Sequence, residues 1–213
     1  MLEVGLCYAH HMKRLGYRKA ITDYIRVNAK PPEKFSHQPR LYRLATQLAE
    51  ERPFDDEVLF AAAWLHDLGV FIGHRPEKLA ALKKWNNVTY AIHKAPALLK
   101  RFGFPAKKIP AVLETIRTHL PSIKPTSFEG TLLRDADILE QLGAIAVLRT
   151  VCKIGRDTRF MVFQDALRSL RGNLERLPNQ LQLESAKRRA RPRLKILKAF
   201  LEASAAESNG IEL

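Results

Sequence analysis

Hydrophobic residues recur at intervals of three and four along most of the chain, which is the period of an amphipathic helix rather than of a strand. Between residues 37 and 51 this spacing gives one apolar face, and Pro53 ends the pattern. The stretch 58–65 is apolar on almost every side, which indicates a helix buried at the centre of the protein. Asp55 and Asp56 precede it and are suited to cap its positive end. The pattern therefore predicts an all-α fold.

Further helices are predicted along the rest of the chain, with proline and glycine between several of them. Their expected spans are 76–85, 87–102, 110–119, 131–151, 157–177 and 183–203. We expect an N-terminal helical segment (1–30), a central domain (31–152) and C-terminal helices (153–203) that pack on the same domain as an extension. The remaining residues, 204–213, are polar and are expected to form a flexible tail.

Composition and charge limit the kinds of function that the sequence is compatible with. Hydrophobic residues make up 46% of the chain and charged residues 27%, which is typical of a globular protein, and the formal net charge is +14. A positive surface favours a phosphate-bearing small molecule, nucleic acid or an acidic partner. No apolar run approaches the roughly 20 residues of a membrane span, so we expect a cytoplasmic protein. Cys7 and Cys152 are too far apart in sequence to suggest a thiolate metal site, and Cys152 is expected in the core.

Two adjacent ionisable residues, His66 and Asp67, directly follow the central apolar run. Burying such groups is costly unless they have partners, and two arrangements would supply them. The histidine could bond to the backbone beside a capping aspartate, or both residues could bind a metal ion. His37 at the start of the preceding helix and Asp137 on another strongly apolar helix favour the metal, because a cation offsets the cost of a buried carboxylate.

The order of these residues resembles the HD superfamily of metal-dependent phosphohydrolases, and within it the bacterial predicted HD hydrolases related to nucleotide pyrophosphohydrolases. The local matches are residues 37–40 (HQPR), 62–69 (AAWLHDLG), 116–119 (IRTH) and 135–137 (DAD). With residues 142–145, 149–150 and the C-terminal helices, the resemblance covers roughly residues 37–203. It implies an HD-domain helical bundle in which a divalent metal ion is bound by His37, His66, Asp67 and Asp137.

Arginine side chains near this site are candidates to bind substrate. Arginine can hold a phosphate group through two parallel hydrogen bonds, so Arg40, Arg117 and Arg149 are predicted to bind the substrate phosphate. Arg40 is the first choice because it lies one turn from His37 on the same helix face. We expect Asp67 and Arg40 to be catalytic. An arginine on a helix is, however, more often solvated or ion-paired.

Other residues near the motifs leave alternatives open. His93 and His119 are predicted on apolar helix faces, where they could bind a second metal ion, bind substrate phosphate or be core histidines. Asp135 would support the site or cap a helix. The common family sequence DADRLD reads DADILE here, so Ile138 replaces an arginine and Glu140 is a longer acid. The missing arginine puts the substrate in doubt.

These residues predict hydrolysis of a phosphate ester or phosphoanhydride, most readily of a nucleotide, by metal-activated water. Histidine and aspartate ligands suit Mn²⁺, Mg²⁺, Fe²⁺, Co²⁺ or Ni²⁺, with one ion expected and two allowed. One alternative is a non-catalytic regulatory or RNA-associated module that contacts nucleic acid through the basic run 187–193. Another is a di-iron oxygenase, for which His93 and His119 would complete a set of six ligands.

Overall fold

The computed structural model describes residues 16–157 and 159–211, and these residues contain helices and no β-strand. The all-α prediction is therefore confirmed over the described part of the chain. Of the predicted N-terminal helical segment, residues 16–28 are helical, whereas residues 1–15, including Cys7, lie outside the described residues. None of the described helices combines the length and apolar character that crossing a membrane requires.

The α-helices are α1 (16–28), α2 (His37–Leu48), α3 (Asp56–Leu65), α4 (Leu79–Lys83), α5 (Asn87–Arg101), α6 (Ile109–Arg117), α7 (Phe128–Glu140), α8 (Ala144–Val151), α9 (Phe163–Arg176) and α10 (Glu184–Glu207). Short 3-10 helices span Pro32–Ser36, Leu68–Val70, Ala106–Lys108 and Pro178–Gln180.

Helix α3 lies at the centre of the bundle, as its apolar sequence predicts. Every residue from Val58 to Leu65 is buried, and α3 packs against α2, α6 and α7. The carboxylate of Asp55 accepts hydrogen bonds from the backbone N–H groups of Glu57 and Val58, at 3.1 and 3.2 Å, and so caps the helix as expected. Because the end of α3 is buried, His66 and Asp67, which follow it, lie in the interior of the bundle.

One predicted helix is two helices in the structure. The stretch 131–151 is divided at Gly143, whose φ of +82° places it in the left-handed region that glycine adopts most easily. A Cβ at this position would lie 3.0 Å from Cβ of Arg193 on α10, so a side chain there would crowd α10. The break lets α8 fold back, and Nη1 of Arg149 donates to the backbone oxygen of Glu140 at 3.3 Å.

Several predicted boundaries were wrong. Helix α4 covers only five residues of the predicted span 76–85. Helix α9 begins at Phe163 rather than at residue 157, because the preceding segment forms turns in which the backbone N–H of Gly155 donates to the oxygen of Phe160 at 3.0 Å. Helix α10 continues to Glu207 instead of giving way to a tail at residue 204, and positive φ angles at Asn209 and Gly210 follow its end.

The prediction that Cys152 belongs to the core was also wrong, since its side chain is exposed. Helix α8 buries Ala146 and Thr150, and it packs against α9. Cys152 follows the end of α8 and lies off this buried face, where its thiol donates to the backbone oxygen of Arg149 at 3.3 Å.

Candidate metal centre

Ligand-type side chains meet where α2 begins and α3 ends. One atom each from His37, His66 and Asp67 forms a group in which all atoms lie within 4.8 Å of one another. Oδ1 of Asp67 lies 3.5 Å from Nε2 of His66, and Oδ2 lies 3.7 Å from Nε2 of His37. Asp137, on α7, lies beside this group, with Oδ1 3.6 Å from the same nitrogen of His37. The fold thus brings together all four residues that the sequence proposed as ligands.

The two histidine rings are held so that their Nε2 atoms face the carboxylates. Nδ1 of His66 faces the backbone oxygen of Ala63 at 2.9 Å, and Nδ1 of His37 faces Oε2 of Glu140 at 3.3 Å. A proton on each Nδ1 leaves a lone pair on Nε2. Both Nε2 atoms are buried and have no hydrogen-bond partner among the described residues. Buried polar atoms normally have partners, so this arrangement fits a bound cation.

The electrostatics of the site favour the protonation states that bind a metal. Burial alone would raise the pKa of Asp67, but His66, His37 and Arg149 hold its pKa below the ordinary range. Burial, together with the nearby guanidinium of Arg149, lowers the pKa of His37. At neutral pH the carboxylate is therefore ionised and the imidazole is neutral, as metal ligation requires.

Glu140 is the residue that connects this site to its surroundings, and the sequence marked it only as a departure from the family pattern. Its side chain is 4% exposed, and Oε2 accepts from Nε and Nη2 of Arg40 at 3.2 and 2.9 Å. Burial would raise the pKa of Glu140, but hydrogen bonds from His37 and Arg40 lower it to about 2. A carboxylate that orients a ligating histidine commonly strengthens metal binding.

The three candidate arginines have different surroundings. Arg40 uses all three guanidinium nitrogens within the protein, because Nη1 donates to Oγ of Ser36 at 2.8 Å. Arg149 contacts Glu140 only through Nη1, which lies 3.5 Å from Oε2. Arg117 forms an ion pair with Glu114, and 54% of its side chain is exposed. Substrate binding by these residues stays a prediction.

Of the two additional histidines, only His119 is buried. Its ring centroid lies 5.0 Å from that of His66, and its Nδ1 faces the backbone oxygen of Ile116 at 2.6 Å. Burial and the neighbouring His66 lower the pKa of His119. The prediction that His93 lies on an apolar face was wrong: α5 buries a face that includes Ala91 and Ala95, and His93 is exposed.

Asp135, the first acid of the DAD sequence, connects the central domain to the C-terminal helices. It is completely buried, and Oδ2 accepts from the backbone N–H groups of Gln182 and Leu183 at 2.9 and 2.7 Å. These two residues directly precede α10. Asp135 therefore fixes the start of that helix rather than capping its own.

Fold and site together define an all-helical protein with a cluster of histidine and aspartate side chains at its centre. The sequence model of the HD domain matches residues 35–142, just over half of the chain, and this protein belongs to the HD domain family. The predicted resemblance is thereby confirmed. Among curated proteins, none matches this chain.

Several solved bacterial structures have the same fold. Bacillus subtilis YpgQ, solved in complex with ADP, has a TM-score of 0.70 and 21% identity, over 94% of this chain and 100% of that one. Lin1889 from Listeria innocua has a TM-score of 0.68 and 20% identity, over 93% and 99%. An HD-superfamily hydrolase from Bacillus thuringiensis has a TM-score of 0.66 and 23% identity, also over 93% and 99%. At these identities the similarity establishes the fold.

Proposed function

We propose that this protein is a metal-dependent phosphohydrolase in which His37, His66, Asp67 and Asp137 hold a divalent cation. The observation that carries the proposal is the pair of buried Nε2 atoms, on His37 and His66. They face the carboxylate of Asp67 and have no hydrogen-bond partner in the part of the chain that the structure describes. Neutral imidazoles and an ionised carboxylate form a donor set suited to Mn²⁺ and similar ions.

A divalent cation held there would lower the pKa of water and polarise a phosphoryl oxygen. Asp67 and Asp137 form the accessible part of the site, with side chains 21% and 14% exposed, so substrate approaches from their side. We propose one ion, because the exposed His93 lies outside the group formed by His37, His66 and Asp67.

Among the arginines, Arg149 is better placed than Arg40 to stabilise charge on the phosphoryl group. The nitrogens of Arg40 are all engaged within the protein, whereas among the described residues Arg149 bonds to Glu140 through Nη1 alone. Nε and Nη2 of Arg149 then remain to donate to the phosphoryl oxygens. Arg40 would instead hold Glu140, and through it His37, in place.

A nucleotide is the proposed substrate. The net charge of +14 favours an anionic ligand, and the structurally similar YpgQ was solved with ADP. A nucleotide also offers both phosphate ester and phosphoanhydride bonds to one site.

The experiment is an assay of phosphate and pyrophosphate release from nucleoside mono-, di- and triphosphates with added Mn²⁺. Wild-type protein should release product, and the double variant His66→Ala/Asp67→Ala should not. His93→Ala, which changes an exposed histidine, serves as the matched control and should retain activity. Activity that survives in the double variant, or no release with any divalent metal, would overturn the proposal.

A second proposal concerns α10, which exposes basic side chains along one stretch. The exposed residues are Lys187, Arg188, Arg189, Arg191, Lys195 and Lys198. Such a surface suits the phosphate backbone of RNA. Salt-sensitive RNA binding that weakens in the variant Arg189→Gln/Arg191→Gln would support an RNA-associated role, and binding unaffected by the variant would refute it.

A further inference from the structure

Basic side chains from three separate segments meet beside the turn that follows Asp67. We name this group the basic rim, and it consists of Lys34, Arg75, Lys153 and Arg159. Two ion pairs hold the segments together: Arg156 with Glu33, and Arg75 with Asp157, for which Nη1 and Oδ2 are 3.6 Å apart. Residues from before α2, after α3 and after α8 are thereby collected on one side of the site.

Lys34 is linked directly to the turn that follows Asp67. Its Nζ donates to the backbone oxygen of Val70 at 3.0 Å, and the N–H of Val70 donates to the oxygen of Asp67 at 3.0 Å. Burial lowers the pKa of Lys34, while the charge of Asp67 acts in the opposite direction. No carboxylate within residues 16–157 and 159–211 lies at ion-pair distance from this ammonium group.

Lys153 has similar surroundings. Its side chain is half-buried, and Nζ lies 5.0 Å from the ring centroid of Phe160. Burial and then the guanidinium groups of Arg149 and Arg159 lower the pKa of Lys153, and Lys34 contributes in the same direction. The ion pair of Arg156 with Glu33 brings the segments that carry the two lysines together, and among the described residues neither lysine has a carboxylate ion-pair partner.

Asp157 is the carboxylate that balances part of this charge. Its two oxygens accept from Nε and Nη2 of Arg159, at 3.0 and 2.8 Å, and it also pairs with Arg75. Among the described residues, the arginines of the rim thus share the carboxylate of Asp157 as an ion-pair partner, whereas Asp157 acts on the two lysines only without an ion pair. Half-buried ammonium groups without a carboxylate at ion-pair distance repel the neighbouring guanidinium groups, and an anion bound between them would relieve the repulsion.

We propose that Lys34 and Lys153 form an anion-binding subsite that holds the phosphate group adjacent to the one at the metal centre. The inference rests on the proposed phosphohydrolase function and adds the residues that position the rest of a phosphate chain. Each ammonium group can donate to phosphate oxygens, and fixing a second phosphate would orient the scissile one.

The test uses metal-free full-length protein and measures the binding of inorganic tripolyphosphate and orthophosphate by calorimetry. Wild type should bind tripolyphosphate more tightly than orthophosphate. Lys34→Gln and Lys153→Gln should each raise the Kd for tripolyphosphate about tenfold, as the loss of one hydrogen bond to a charged group implies. Lys19→Gln removes a 78%-exposed lysine from α1 and should leave the Kd unchanged.

One further variant and one further ligand distinguish the proposed subsite from other causes of weaker binding. Lys34→Arg keeps the positive charge and should bind tripolyphosphate almost as tightly as wild type. If Lys34→Gln lost affinity only because it misfolded, restoring the charge would not be expected to restore binding. A nucleoside triphosphate with a methylene bridge between its first two phosphorus atoms distinguishes a nucleotide from a bare phosphate chain. Unchanged tripolyphosphate binding in the Lys34→Gln/Lys153→Gln variant, or a loss confined to the nucleotide probe, would overturn the inference.

Because this binding is measured without metal or turnover, it separates the two proposals. Lysine-dependent binding without hydrolysis would leave the subsite standing and refute the phosphohydrolase. Metal-dependent hydrolysis together with tripolyphosphate binding that does not depend on the two lysines would support the phosphohydrolase and refute the subsite.

Discussion

The substitution Glu140→Gln tests how the metal centre is held in place. It keeps the size of the side chain but removes the charge that accepts from Arg40 and lies 3.3 Å from Nδ1 of His37. Glutamine still offers one neutral oxygen as an acceptor, but its NH2 group can only donate. The variant therefore leaves the guanidinium groups of Arg40 and Arg149 without their carboxylate and weakens the orientation of His37.

The magnitude follows from the electrostatics of Glu140. Its pKa falls from an ordinary value of 4.5 to about 2, which corresponds to about 3 kcal/mol of favourable interaction. Side chains of Arg40 and Arg149 are 35% and 31% exposed, so solvent screening reduces this to about 2 kcal/mol of folding stability. Loss of a carboxylate that orients a metal-binding histidine typically weakens metal affinity by about ten- to a hundredfold.

Two measurements check this prediction: Mn²⁺ binding by calorimetry and the free energy of unfolding of the metal-free protein in urea. Glu114→Gln removes a carboxylate from the surface pair with Arg117 and serves as the control, with little change expected in either quantity. Glu140→Asp should retain more affinity than Glu140→Gln because it keeps the charge. A folded Glu140→Gln protein that binds Mn²⁺ as tightly as wild type would refute the reasoning.

Three further substitutions probe the scaffold. Gly69→Ala should lower the unfolding free energy by about 2–3 kcal/mol in urea titrations, because its Cβ would lie 2.5 Å from the backbone oxygen of Asn87. Asp135→Ala should cost about 1–3 kcal/mol and expose the start of α10 to limited proteolysis, since it removes the oxygen that accepts from both backbone N–H groups there. Burial would raise the pKa of Glu57, but the nearby Lys108 holds that pKa below its ordinary value of 4.5. The ionised carboxylate of Glu57 therefore stabilises the fold above pH 4.5, and this stabilisation is lost as the pH falls below 4.5. Lys108→Met should flatten that decline in acid unfolding curves.

Each of these substitutions has a matched control. Gly16→Ala adds a methyl group that meets no atom of residues 16–157 and 159–211 within 4 Å and should not destabilise the protein. Asp23→Ala removes a half-exposed carboxylate, and Lys198→Met removes an exposed lysine. Equal effects in a variant and its control would show that the burial and bonding described for Gly69, Asp135 or Lys108 do not determine stability.

The central helix and the clustering of His37, His66, Asp67 and Asp137 could be predicted because their signals are local or belong to the family pattern. The apolar run of α3 ends directly at His66 and Asp67, so burial of the pair follows from the sequence. The break at Gly143 could not be predicted, since one glycine is tolerated within a helical pattern. Its left-handed backbone and the close approach of Arg193 depend on how α10 packs.

The residues that surround the candidate metal centre could not be predicted from sequence patterns either. Glu140 contacts Arg40 and His37 across 100 and 103 residues of chain, and only the fold brings them together. For the same reason, Lys34 and Lys153 carry no motif that would have marked them. The misplacement of His93 has a simpler cause: α5 has a narrow buried face, and a position two residues from Ala91 points away from it.

Bound metal, measured by elemental analysis on protein purified without chelators, tests the central claim most directly. We predict one equivalent of a divalent metal on wild type and none on His66→Ala/Asp67→Ala. Wild-type protein that stays metal-free after incubation with Mn²⁺, or a double variant that retains the ion, would contradict the account. Two equivalents of iron would instead favour the oxygenase.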